Sequence, residues 1–150
     1  MTYMHTQKAP LHYVLYGAGI ILAVASWLGR NDTPILVPMA VAAVVMLLVA
    51  PMFGYLTVRD DGEQLVVEYG PLPLFRKRIP YAEMAAAAPA RSSFIDGWGI
   101  HWGPGEGWIY NLWGFDCVKI ALARTAIRIG TDDPANLTAF LRGKIEASKK

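Results

Sequence analysis

Val14-Leu15-Tyr16-Gly17-Ala18-Gly19-Ile20-Ile21-Leu22-Ala23-Val24-Ala25 is the core of an uncharged run from Ala9 to Gly29. At about 1.5 Å of rise per residue, such a run is long enough as a helix to cross roughly 30 Å of hydrocarbon. A second uncharged run extends from Thr33 to Val58 and is dominated by Val, Ala, Met and Leu. Only Arg30-Asn31-Asp32-Thr33 connects the two. Inside lipid a chain must satisfy its own backbone polar groups, and a helix does so, so the pattern predicts a transmembrane helical hairpin.

Local chemistry sets its ends. Asp32 or Thr33 is placed to cap the second helix, and Pro34 falls in its first turn, where a missing N–H costs nothing. Pro38 lies deeper, and Pro51 is expected to bend the helix by freeing the carbonyl of Leu47. Tyr13, Tyr16, Trp27 and Tyr55 stand near the ends, as interfacial anchors do. A cleaved secretory signal is the alternative for the first run. The missing basic flank and the immediate second span argue against it.

Twelve of the fourteen Lys and Arg residues follow Val58, whereas the connecting loop carries Arg30 alone, offset by Asp32. The positive-inside rule then places both termini in the cytoplasm of a bacterial inner membrane protein. The reading divides the chain into a cytoplasmic tail (1–10), the hairpin (11–57) and a cytoplasmic domain (58–150). Gly19 with Ala23, Ala25 with Gly29, and Ala50 with Gly54 are small-xxx-small pairs that permit close helix approach. Packing the two helices on each other is favoured over specifying a partner.

Hydrophobic residues make up 54% of the 150 residues and charged residues 17%, which excludes a disordered chain and is unusual for a soluble enzyme. A net charge of +2 gives no support to nucleic-acid binding. The single cysteine, Cys117, excludes an internal disulfide and an all-cysteine metal site, and a free thiol fits a reducing compartment.

After the hairpin the pattern changes to short alternating runs. Leu56 to Arg59, the turn Asp60-Asp61-Gly62, and Gln64 to Gly70 read as a β-hairpin. Leu72 to Ile79 reads as the next strand, and Pro80 to Met84 as a break. Trp98, Ile100 and Trp102 alternate along another strand, which puts the tryptophans on one face. Gly103 to Gly107 is a loop, and Trp108 to Tyr110 returns. Phe115 to Leu122 and Thr125 to Ile129 complete about seven antiparallel strands. Asp133 is the expected N-cap of a last helix that starts at Pro134, with Leu137, Phe140, Leu141 and Ile145 at helical spacing.

This order resembles the bacterial pleckstrin-homology-like domain over nearly all of residues 55–146. The resemblance is carried by Ile79-Pro80-Tyr81 after a basic strand, by Gly97-Trp98-Gly99-Ile100, by Gly107-Trp108-Ile109-Tyr110, and by Ile129-Gly130-Thr131-Asp132-Asp133-Pro134. It implies a mainly β partial barrel or sandwich plugged by a C-terminal helix, here behind a two-helix anchor. It is nearly silent about activity. His101 departs from it, standing where relatives carry arginine. The acidic Asp60, Asp61 and Glu63 of the first hairpin also remove the basic ligand mode of eukaryotic relatives.

No catalytic constellation can be assembled. His5, His12 and His101 are scattered over a tail, a helix end and a strand, without metal-ligand spacing. Ser92 and Ser93 lack a His–Asp partner in an identifiable motif. His12 at a helix end reads as a polar interface residue rather than a haem ligand. No cofactor is expected. Arg76-Lys77-Arg78 has two readings, a strand that touches anionic headgroups or an edge kept charged against aggregation. Of the clustered tryptophans, Trp102 or Trp108 is assigned to the surface for lipid or partner contact, and Trp98 to the core. The function expected is a non-enzymatic accessory subunit or assembly factor of a larger membrane complex, a photosynthetic reaction centre being the specific version that the resemblance implies. A lipid-sensing module is the alternative.

Overall fold

The computed structural model describes residues 2–31, 33–72, 74–92 and 98–148. The chain opens with strand β1 (Met4–Lys8) and continues into helix α1 (Leu11–Leu28) and helix α2 (Thr33–Val49). Strands β2 (Tyr55–Asp60), β3 (Gln64–Gly70) and β4 (Arg76–Pro80) follow, then β5 (Met84–Arg91), β6 (Gly99–Gly103), β7 (Gly107–Asn111), β8 (Asp116–Leu122) and β9 (Ala126–Gly130). Helix α3 (Pro134–Ser148) closes the chain.

Both apolar helices form as the sequence requires. At Ala50 the α2 ladder tightens into a 3-10 turn over Ala50–Phe53, with Pro51 in its first positions, so the missing N–H of Pro51 ends the α-helix where a bend was expected. The capping expectation for Asp32 and Thr33 lies outside the described residues and side chains.

The strands form a four-stranded sheet in the order β1-β2-β3-β4 and a five-stranded sheet in the order β5-β8-β9-β7-β6. Among the described residues nine strands replace the expected seven or so. Residues 1–10, expected as a tail, contain β1, which pairs antiparallel with β2 from Met4↔Arg59 to Lys8↔Tyr55. The two-helix hairpin is therefore the connection between two hydrogen-bonded strands. Residues 84–91 supply the other unexpected strand. Ala and Pro are poor strand formers, but β5 is an edge strand, where proline is tolerated. The expectation of antiparallel pairing fails at one ladder, because β7 and β9 run parallel from Trp108↔Ile127 to Tyr110↔Ile129. The chain between them crosses by way of β8.

Alternation on the two inner faces builds one core. Leu56, Val58, Leu65, Val67, Tyr69 and Ile79 of the first sheet meet Val118, Ile120, Ile127 and Ile129 of the second. Leu137, Leu141 and Ile145 of α3 complete the core at helical spacing. Tyr69 ties the sheets together, its hydroxyl donating to the carbonyl of Gly99 at 3.2 Å. Pro134 is the first residue of α3, as expected. The Asp133 carbonyl accepts from Leu137 N–H at 3.2 Å, while its side chain accepts from Asn136.

Candidate functional site

Three surfaces carry the residues that the sequence singles out. On the hairpin, large apolar side chains point outward from both helices, among them Ile20, Ile21 and Val24 of α1 and Val41, Val44 and Val45 of α2. Both spans are long and apolar enough to cross a membrane, and little of either is buried within the protein. Gly19 lies close against the second helix: a Cβ there would lie 2.9 Å from Leu47 Cδ2. Ser26 also reaches across, donating to the Leu36 carbonyl at 3.3 Å. Of the other small residues, Ala50 is buried, Ala23 is exposed, and Gly29 donates its N–H to Ala25 at the end of α1. Gly54 donates to the Gly70 carbonyl at 3.0 Å, so it serves the junction with the sheet rather than a helix–helix seam.

The second surface is edge strand β4. Arg76 and Arg78 are exposed and Lys77 is half-buried on the opposite side of the pleat. Arg76 Nε donates to Glu68 Oε2 at 2.8 Å, and Glu68 also faces Arg59 at 3.6 Å. One cation of the basic triplet is thus already engaged by the neighbouring strand.

The third surface is aromatic. Trp102 and Trp108 stand directly opposite one another across the β6–β7 ladder and are 58% and 46% exposed. The Gly105 and Gly107 positions turn the chain between them with φ of 76° and 78°. The sequence assigns one or the other of these tryptophans to the surface, and the structure exposes both. A shallow cleft of about 280 Å³ runs from Trp102 past Gly105 and Gly107 to Arg124, Thr125 and Ala126. Trp98, by contrast, does not enter the core as expected. It precedes β6, is 37% exposed, and stacks on Trp113 with ring centroids 4.2 Å apart. The Gly-Trp-Gly alternation fits a strand face equally well, so periodicity could not reveal this stack.

The histidines do not converge. His5 lies in β1 and pairs with Asp132 at 2.5 Å, His12 donates from Nδ1 to the Ala9 carbonyl at 3.0 Å, and His101 sits in β6. Ser92 donates to the Phe115 carbonyl, and Ser93 lies outside the described residues. Among the described residues no three His, Cys, Asp or Glu side chains are grouped to hold a metal ion.

Sequence reasoning missed one polar cluster. Asp60 is only 2% exposed in its side chain, yet it is fully partnered: Lys144 Nζ at 2.9 Å, Tyr81 hydroxyl at 2.8 Å and Gly62 N–H at 3.0 Å. Burial alone would raise the Asp60 pKa, but the hydrogen bonds from Lys144 and Tyr81 and the Lys144 charge hold it below the usual carboxylate value. Burial and Asp60 push the Tyr81 phenol up, so it stays protonated and donates. The cluster joins the β2–β3 turn to α3 and is structural. Its only sequence signal was an Asp at a turn, which has a simpler use.

No family model matches the chain, and comparisons with curated proteins and with solved structures return no significant match.

Proposed function

We propose that this chain is a non-enzymatic, membrane-anchored interaction protein, in which a helical hairpin displays a pleckstrin-homology-like module on the cytoplasmic side of a bacterial inner membrane. Its role is that of an accessory subunit or assembly factor of a larger membrane complex, an energy-converting assembly being the specific case. The observation that carries the anchor is the outward apolar surface of α1 and α2, since exposed apolar area of this extent favours lipid over water. The opposed pair Trp102 and Trp108 supports a partner-binding module, because exposed tryptophan clusters are the usual centres of protein interfaces. Pairing of β1 with β2 brings the segments before and after the hairpin together, which supports a two-crossing anchor.

Pull-down of the tagged full-length chain from native membranes, followed by mass spectrometry, tests the proposal. One dominant stoichiometric membrane complex is expected, lost when Trp102 and Trp108 are both changed to Ser. Recovery of the chain as a lone monomer in mild detergent overturns it.

A second reading, a lipid-surface sensor, is supported by the exposed Arg76 and Arg78 on an unpaired edge. Charge reversal at Arg76, Lys77 and Arg78 that leaves membrane-surface binding of anionic lipid unchanged removes it.

A further inference from the structure

The loop between β3 and β4 starts at the place where α2 leaves the hairpin. Gly54 follows the 3-10 turn directly, and its N–H bonds the carbonyl of Gly70, the last residue of β3. Phe53, in that turn, packs against Tyr69 and Phe75 on either side of the loop, with centroids 5.2 and 5.7 Å away. From this fixed base the loop presents Leu72 and Leu74, which are 52% and 70% exposed. Two exposed leucines in a short loop are costly in water and unnecessary for a turn, which polar residues serve better.

The surroundings have the composition of a membrane–water interface. Phe53 also approaches Gly99, so the partly exposed Trp98, just before β6, lies at this same end of the domain. Lys8, exposed and paired in register with Tyr55, and Arg76 supply cations close to the helix ends. Apolar tip, tryptophan and flanking cations are the components that sit at headgroup depth. The opposite end of the first sheet, at Asp61 and Gly62, is polar and acidic.

The geometry points to a third membrane contact: Leu72 and Leu74 enter the interface of the bilayer that holds the hairpin, beside the exit of α2, and set the domain's orientation on the membrane. The inference rests on the membrane-anchor reading. Its occupant is lipid, because the loop is continuous with the ends of the two apolar helices. It would make β4 leave the surface starting at Arg76, so that the basic triplet follows the insertion rather than causing it.

Variants of the full chain that each carry one added cysteine test it, with the buried Cys117 left in place and the unmodified chain as labelling background. Leu72→Cys, Leu74→Cys, Gly62→Cys and Ile20→Cys are labelled with an environment-sensitive fluorophore. They are reconstituted in phosphatidylcholine–phosphatidylglycerol vesicles carrying lipids brominated at shallow or deep acyl positions. The expected result is at least about twofold stronger quenching at 72 and 74 than at 62, strongest with shallow bromines, while the label at 20 is quenched best by deep ones. Labels at 72 and 74 quenched no more than at 62, with 20 still quenched, overturn the loop contact and leave the anchor standing. If the label at 20 also escapes quenching, the anchor reading falls and the loop contact with it.

Discussion

Lys144 in α3 places its Nζ 2.9 Å from Oδ2 of Asp60 at the end of β2, so the last helix is fastened by charge as well as by its apolar stripe. Tyr81 completes the clamp from the other side: its hydroxyl bonds Asp60, and its ring lies under the Lys144 ammonium at 4.9 Å.

Lys144→Met should lower stability at pH 7 by about 1.5–3 kcal/mol, the usual range for losing a hydrogen bond to a charged group. The pH dependence follows from the depressed Asp60 pKa. A carboxylate held below its unfolded value of about 3.9 contributes stability above that value and loses it as pH falls through the folded pKa. The gap between wild type and Lys144→Met should therefore narrow on acidification from pH 7 to below pH 4. Urea titrations of the full chain in micelles at several pH values measure it, and a gap that widens in acid would refute the assignment.

Gly19 and Gly17 should respond differently to the same substitution. A side chain at Gly19 meets Leu47 and Met46, whereas nothing lies within 4 Å of a Cβ at Gly17. Gly19→Ile should force the helices apart and cost about 1–3 kcal/mol, with Gly17→Ile near neutral. Denaturation of the two variants in detergent gives the comparison.

Gly105 and Gly107 share a left-handed backbone but not the space around it. Open space surrounds Gly105, and Gly105→Ala should cost about 1–2 kcal/mol from the backbone alone. At Gly107 a Cβ would overlap the Ala126 carbonyl, where β9 runs beside β7, and Gly107→Ala should cost about 2–5 kcal/mol. Thermal melts of both proteins settle the ranking.

Deleting residues 2–8 should leave both helices intact and loosen the first sheet at its new edge. Amides of 55–60 are expected to exchange at least about tenfold faster, while those of β8 and β9 keep their protection. Hydrogen exchange with peptide-level readout checks this.

Much of the fold was legible because its signals are local. The uncharged runs marked α1 and α2, and the Asp133-Pro134 junction marked the start of α3 at the right residue. Gly103 and Gly107 bracketed a real hairpin. The failures share a cause, which is that tertiary context overrode local preference. Met4–Lys8 has no periodicity of its own and becomes a strand because β2 offers it an edge. Met84–Arg91 is alanine-rich and contains Pro89, yet its pairing with β8 holds it extended. Alternation alone could not distinguish a parallel β7–β9 ladder from an antiparallel one. At the candidate surfaces, the sequence points to Trp102 or Trp108 as exposed, where both are, but it missed the Trp98–Trp113 stack and the Asp60–Tyr81–Lys144 clamp. Those are contacts between residues far apart in the chain, which spacing does not encode.

Because β1 and β2 are neighbours in one sheet with the hairpin threaded between them, the proposed two-crossing anchor would make sheet closure a check on membrane topology. A chain that inserted only one helix would strand Met4–Lys8 and Tyr55–Asp60 on opposite faces of the bilayer. Its first sheet would then lack an edge strand and expose the β2 backbone to quality-control proteases. On that proposed anchor, folding of the domain and correct threading of the hairpin would be one event, and only properly inserted molecules would acquire a finished surface.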